Sequence, residues 1–269
     1  MAGRLSIGTA WSEAAAFVRR ERRLLAPVVL GLILLPAVIS TMVQPPTPAS
    51  GSPEPGAWMF VAFAMILVMM AGQMAIVLLA EDWRGSIGEA IGRAARRLPT
   101  LIAAAVIVML PMIVILSVVL AAVTFAGGGE GGVSAQNLSG GGGIAILLAV
   151  VLVLLIAVRL LPLVAVIARG TDGPISALKQ TFRMTRGQFW KLLGFFLLMA
   201  ITFVIVAAAV GAVFGSIVTL ALGRPDPWTL SLLLIALIGG LVQAAFVTIY
   251  TAMLARIAVQ LEGERISGT

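Results

Sequence analysis

Histidine and cysteine are both absent from the 269 residues, and acidic side chains are few, 11 Asp and Glu against 18 Lys and Arg. Without cysteine there is no disulfide framework, thiol nucleophile or Cys-ligated zinc site. Without histidine, Ser-His-Asp and Cys-His catalysis, His-ligated metals and a histidine pH switch are also excluded. Charge of any sign is scarce, at 11% of residues. The sequence therefore offers no catalytic residues, no metal ligands and no cofactor-binding motif.

What is present is hydrocarbon. The chain is 61% hydrophobic with a mean hydropathy of +1.12, far more apolar than the roughly half-apolar usage of soluble domains. Six apolar segments stand out, approximately residues 24–43, 57–80, 100–126, 144–168, 190–222 and 228–259. Each reaches the roughly 20 residues that a helix needs to cross about 30 Å of lipid. Segments of this length are helices rather than the ten-residue alternating strands of a barrel. The expected fold is an all-α integral membrane protein with six transmembrane helices, a single polytopic domain over 1–269. The N-terminus does not read as a cleavable signal, because Arg19, Arg20, Arg22 and Arg23 follow an 18-residue stretch and the next apolar run continues to Val43.

Orientation follows from the basic residues. Segments 1–23, 81–99 and 169–191 carry five, four and five Lys or Arg, whereas 44–56 and 127–143 carry none and 223–227 carries only Arg224. The positive-inside rule then places both termini in the cytoplasm of a bacterial inner membrane. The tryptophans agree, since indole favours the headgroup level. Trp58 and Trp228 fall at outer span ends, and Trp11, Trp83 and Trp190 beside inner ends. Basic residues alternating between sides in this way argue against nucleic acid as a partner.

The outer connections 44–56 and 127–143 are rich in Pro, Ser and Gly and read as flexible loops. Their glycine runs lack the following Lys-Ser/Thr of a phosphate loop. Asn137-Leu138-Ser139 matches a glycosylation acceptor, a pattern short enough to arise by chance.

The inward segments suggest a threefold repeat of one amphipathic interfacial helix plus two spans. The first begins Ser6-Ile7-Gly8-Thr9-Ala10-Trp11 and continues with Ala14 and Val18, an i, i+4, i+7, i+11 stripe. The second is Ser86-Ile87-Gly88-Glu89-Ala90-Ile91, extended by Ala94 and Leu98. The third is Gly173-Pro174-Ile175-Ser176-Ala177-Leu178, extended by Phe182 and Phe189. Such helices suit the plane of an anionic leaflet, with Arg19, Arg20, Arg93, Arg96, Arg97, Lys179, Arg183 and Arg186 as candidate headgroup contacts. The plainer reading is that they are inside loops carrying ordinary positive-inside charge.

Gln73, Arg159 and Gln243 are singled out as strongly polar residues within spans, each in the second span of its repeat. Packed around one axis, they would meet at similar depth as a ligand site or a buried hydrogen-bond cluster. Arg159 is the costly member, opposing insertion by roughly 2.5–3.5 kcal/mol, and either a structural tie or a phosphate contact would compensate it. The absence of buried carboxylates weakens a proton- or sodium-coupled pump. Ala207, Gly211 and Gly215, spaced four apart, form a small-residue face expected to pack against another helix. Pro36, Pro111 and Pro162 are expected to kink their spans.

Across Val158-Arg159-Leu160-Leu161-Pro162, Gly173 to Leu178, and Thr185-Arg186-Gly187-Gln188-Phe189-Trp190-Lys191-Leu192-Leu193-Gly194, the chain resembles the membrane domain attached to some bacterial glycerophosphoryl diester phosphodiesterases. That resemblance implies a six-span module associated with phospholipid or glycerophosphodiester metabolism. The hydrolase chemistry belongs to a separate soluble domain rich in histidine and carboxylates, and no catalytic residue is carried over.

The leading expectation is a non-enzymatic inner-membrane module that binds or organises lipid or scaffolds a protein partner. The alternative is a passive translocator of lipid or small solutes using the polar layer, which a cavity at that depth would favour. An intramembrane enzyme ranks third, since Glu81, Asp82 and Asp172 read better as caps and turn residues beside helix ends.

Overall fold

The computed structural model describes residues 6–45, 55–81, 85–126, 141–170 and 173–266. Asp82, Trp83, Asp172 and the Asn137 acceptor lie outside the described residues, as does most of both glycine- and proline-rich connections. Within them the architecture is all-helical, and six helical stretches are long and apolar enough to span a membrane. They are Arg22–Val43, Trp58–Ala80, Ile87–Val123, Gly143–Arg169, Phe189–Leu222 and Leu230–Leu261. The six expected spans are therefore present, with two departures at their basic ends.

The helices, in order, are α1 (Ile7–Arg20), α2 (Arg22–Val29), a π-helical turn (Leu30–Leu34), α3 (Leu35–Val43), α4 (Trp58–Ala80), α5 (Ile87–Ala126), α6 (Gly141–Leu160), α7 (Leu163–Arg169), α8 (Pro174–Met184), α9 (Phe189–Leu222) and α10 (Leu230–Ile266). The second amphipathic segment does not stop before its span; α5 runs through Pro99 without a break. Ala90, Ala94, Leu101 and Ala104 are all buried and fall on one helical stripe across the proline. Packing on both sides of Pro99 thus outweighs the lost hydrogen bond. The second departure is that α10 runs beyond the expected residue 259, to Ile266.

The three prolines act differently. Pro36 follows the π-turn, where the Leu35 N–H reaches back to the Leu30 carbonyl, five residues away; that widened turn relieves the clash a proline ring makes with the preceding turn. Pro162 separates α6 from α7, while Pro111 leaves α5 unbroken.

Helices α1 and α8 bury their apolar stripes against protein. In α1 the buried positions are Ala10, Ala14 and Phe17, and Trp11 of the expected Ile7-Trp11-Ala14-Val18 face is exposed. These small residues let α1 dock closely on α10, its contact partner at the far end of the sequence. There the Ser6 N–H donates to Gln260 Oε1 at 3.2 Å. Helix α8 buries Ala177, Leu178, Thr181 and Met184 among α5, α6 and α7. Their basic residues Arg19, Arg20, Lys179 and Arg183 remain exposed.

The core is concentrated at this basic end: Met74 to Leu78 with Ala80 of α4, Leu163 and Ala165 to Ala168 of α7, and Ala252 to Ala255 of α10 are buried together. Glycine makes one close crossing possible farther into the bundle. A Cβ on Gly72 would lie 2.8 Å from Leu32 Cβ and 3.1 Å from the Leu32 carbonyl oxygen, so α4 approaches the π-turn as closely as only glycine allows.

Candidate headgroup-binding site

At the start of α5, Ser86 and Glu89 form a reciprocal capping box. The Glu89 N–H donates to Ser86 Oγ at 3.2 Å, and the Ser86 N–H donates to Glu89 Oε2 at 3.3 Å. This fixes the first turn, and helical periodicity then brings Glu89, Arg93, Arg96 and Arg97 to one face. Together they line a pocket of about 340 Å³. Arg93 and Arg96 are exposed, while Arg97 is half-buried.

Arg97 is positioned from outside its own helix. Its Nη1 donates to the Ile167 carbonyl at 3.1 Å, near the end of α7. Next to it, Gly170 caps α7 with φ of +111°, and a Cβ there would stand 2.5 Å from the guanidinium nitrogens. Gly170 thus supplies both a left-handed turn and the space that Arg97 fills.

A second polar cluster lies beside this one. Arg169 Nε donates to Glu81 Oε1 at 2.7 Å, with both side chains less than one-fifth exposed, and Arg169 Nη2 donates to the Ala255 carbonyl at 3.3 Å. One guanidinium therefore ties spans two, four and six. Glu81 is the C-cap of α4, as its place at a helix end suggests, but it also forms this ion pair. The pair, and Arg256 with its Nε buried and unbonded, escape a search for polar residues deep in spans. A signal existed: Glu81, Arg169 and Arg256 each follow a fully buried alanine, Ala80, Ala168 and Ala255.

The intramembrane polar residues have different surroundings. Gln73, Arg159 and Gln243 precede Glu81, Arg169 and Arg256 by eight, ten and thirteen residues, or roughly 12, 15 and 20 Å of helix rise along the chain. Arg159 is exposed near the end of α6, with its guanidinium carbon 6.0 Å from the centroid of the Phe182 ring of α8, a cation–π distance. Gln73 is half-buried in α4. Gln243 instead lines a different feature, a cavity of about 300 Å³ between α3, α9 and α10.

The wall of that cavity includes Ala207, Gly211 and Gly215. No atom lies within 4 Å of where a Cβ would stand on Gly211 or Gly215. Among the described residues, then, no helix packs on these two glycines as their spacing suggested; they open a groove. Arg19 donates through Nε to the Ala15 carbonyl at 3.3 Å, and Arg20 pairs with Glu21 at 3.0 Å. Lys179, Arg183 and Arg186 are likewise exposed.

Residues 5–261 match the profile of one family, Domain of unknown function (DUF7847). The chain belongs to that family. No curated protein and no solved structure matches it. The DUF7847 assignment covers nearly the whole six-span bundle, including every residue of the arginine pocket and of the groove.

Proposed function

We propose that this DUF7847 chain is a non-enzymatic module of the bacterial inner membrane, with both termini cytoplasmic, that binds and organises anionic lipid at its basic end. The observation that carries this reading is the pocket formed by Glu89, Arg93, Arg96 and Arg97 where α5 enters its apolar span. Guanidinium groups suit phosphate through paired, charge-assisted hydrogen bonds, and the site lies where headgroups of an anionic leaflet gather. The same exposed basic face serves for docking a protein partner. The sequence resemblance adds a link to glycerophospholipid metabolism, and the inward segments support an architecture of three repeats.

Native mass spectrometry of the gently solubilised protein tests this, comparing wild type with Arg93→Ala/Arg96→Ala and with Arg159→Ala. Loss of retained anionic phospholipid in the double variant, with an unchanged melting temperature, is the expected result. Equal retention in wild type and the double variant removes the basis for the reading. Loss in Arg159→Ala alone transfers the headgroup contact to the α6–α8 junction.

A second reading, passive translocation of lipid or a small solute, is favoured by the groove. Gln243 and Thr41 bring a carboxamide and a hydroxyl to a mostly apolar cavity wall at membrane depth, where polar groups mark pathways. Filling the groove with Gly211→Leu is expected to abolish movement of a fluorescent lipid across proteoliposomes if this reading holds. Unchanged movement, or none in wild type, removes it.

A further inference from the structure

We propose that the α5 pocket selects a doubly charged phosphate, a phosphomonoester headgroup or its free counterpart, over the singly charged phosphodiester of ordinary anionic lipids. The inference rests on the lipid-binding reading above and adds its ligand class.

Charge is the first argument. Among the described residues, three guanidiniums and one carboxylate line the pocket, a lining with two net positive charges. Arg169, the nearby cation, is matched by Glu81 and adds little to that balance. A dianion neutralises the site, whereas a phosphodiester leaves one positive charge over.

Competition is the second. The Glu89 carboxylate cannot drift far, because it accepts the Ser86 N–H while its own N–H is held by Ser86 Oγ. Any ligand must therefore bind the arginines beside a resident negative charge. A phosphomonoester offsets that repulsion better than a phosphodiester, because it brings a larger charge and three acceptor oxygens.

Preorganisation is the third. The Ile167 carbonyl and the space at Gly170 hold Arg97 in place before any ligand arrives, so less side-chain entropy is lost on binding. At roughly 30 Å³ for each water-sized group, a pocket of about 340 Å³ takes a phosphate together with its adjoining glycerol.

Titration of the full-length protein with phosphatidic acid and with phosphatidylglycerol, followed by native mass spectrometry, tests the selectivity. Phosphatidic acid is expected to bind about tenfold more tightly. Arg96→Lys, which keeps the charge at an exposed position, and Gly170→Ala, which displaces Arg97, are each expected to abolish that preference while phosphatidylglycerol still binds. Equal affinity of the wild type for the two lipids overturns the selectivity and leaves the lipid-binding reading standing. Failure of both lipids to bind overturns that reading. If glycerol 3-phosphate binds in their place, the dianion site stands with a soluble ligand as its source; if it does not bind either, the site is overturned as well.

Discussion

Gly72 and Gly211 are the same residue in two membrane helices, used in opposite ways. Gly72 sits where α4 crosses the π-turn, and an added Cβ would meet Leu32 at 2.8 Å. At Gly211 the same atom would meet nothing within 4 Å. The first marks the crossing of α4 and the π-turn, where two spans interlock. The second marks the groove between α3, α9 and α10, where the helices stand apart. Small residues at helical spacing therefore do not by themselves signify packing; what lies opposite decides whether the missing side chain is contact or space.

The contrast is open to attack from both sides. Removing the carboxylate with Glu81→Ala strands the Arg169 guanidinium in a mostly buried place and is expected to cost about 3 kcal/mol. A fall in melting temperature of roughly 6–12 °C would register it, and Glu81→Leu/Arg169→Leu should regain most of the loss. Gly72→Ala, forced against the Leu32 backbone and Cβ, is expected to cost about 1–3 kcal/mol in the same assay. Gly240→Ala meets the far end of the Leu34 side chain at 2.9 Å, which can turn aside, so its cost should stay below about 1 kcal/mol. Gly211→Ala should be neutral or stabilise by up to about 1 kcal/mol, because alanine is the better helix former and has room. Equal losses at Gly72 and Gly211 would erase the distinction between the two regions.

The spans were legible in the sequence because nothing but a run of about 20 apolar residues crosses a bilayer as a helix. Their basic ends were less legible. Pro99 reads locally as a boundary, yet the buried stripe Ala90, Ala94, Leu101 and Ala104 continues through it, and tertiary packing overrode the local preference. The α1 stripe holds at Ile7, Ala14 and Val18, which pack on the core, and fails at Trp11, which is exposed while the smaller Ala10 faces α10. Arg93, Arg96 and Arg97 were legible as candidate contacts, being one basic run on one helix. That Ile167 and Gly170 hold Arg97 was not, since those residues lie some 70 positions away. Gln243 and the Gly211 face were noticed separately, and only the assembled bundle makes them walls of one cavity.

The docking of α1 on α10 joins two helices made at very different times. The Ala10 and Ala14 face of α1 is covered by a helix whose Gln260 is synthesised 254 residues after Ser6. Until α10 has been inserted and has extended to Gln260, that face and the Ser6 amide stay without their partners. A chain halted in its fifth span would leave that amphipathic face of α1 uncovered.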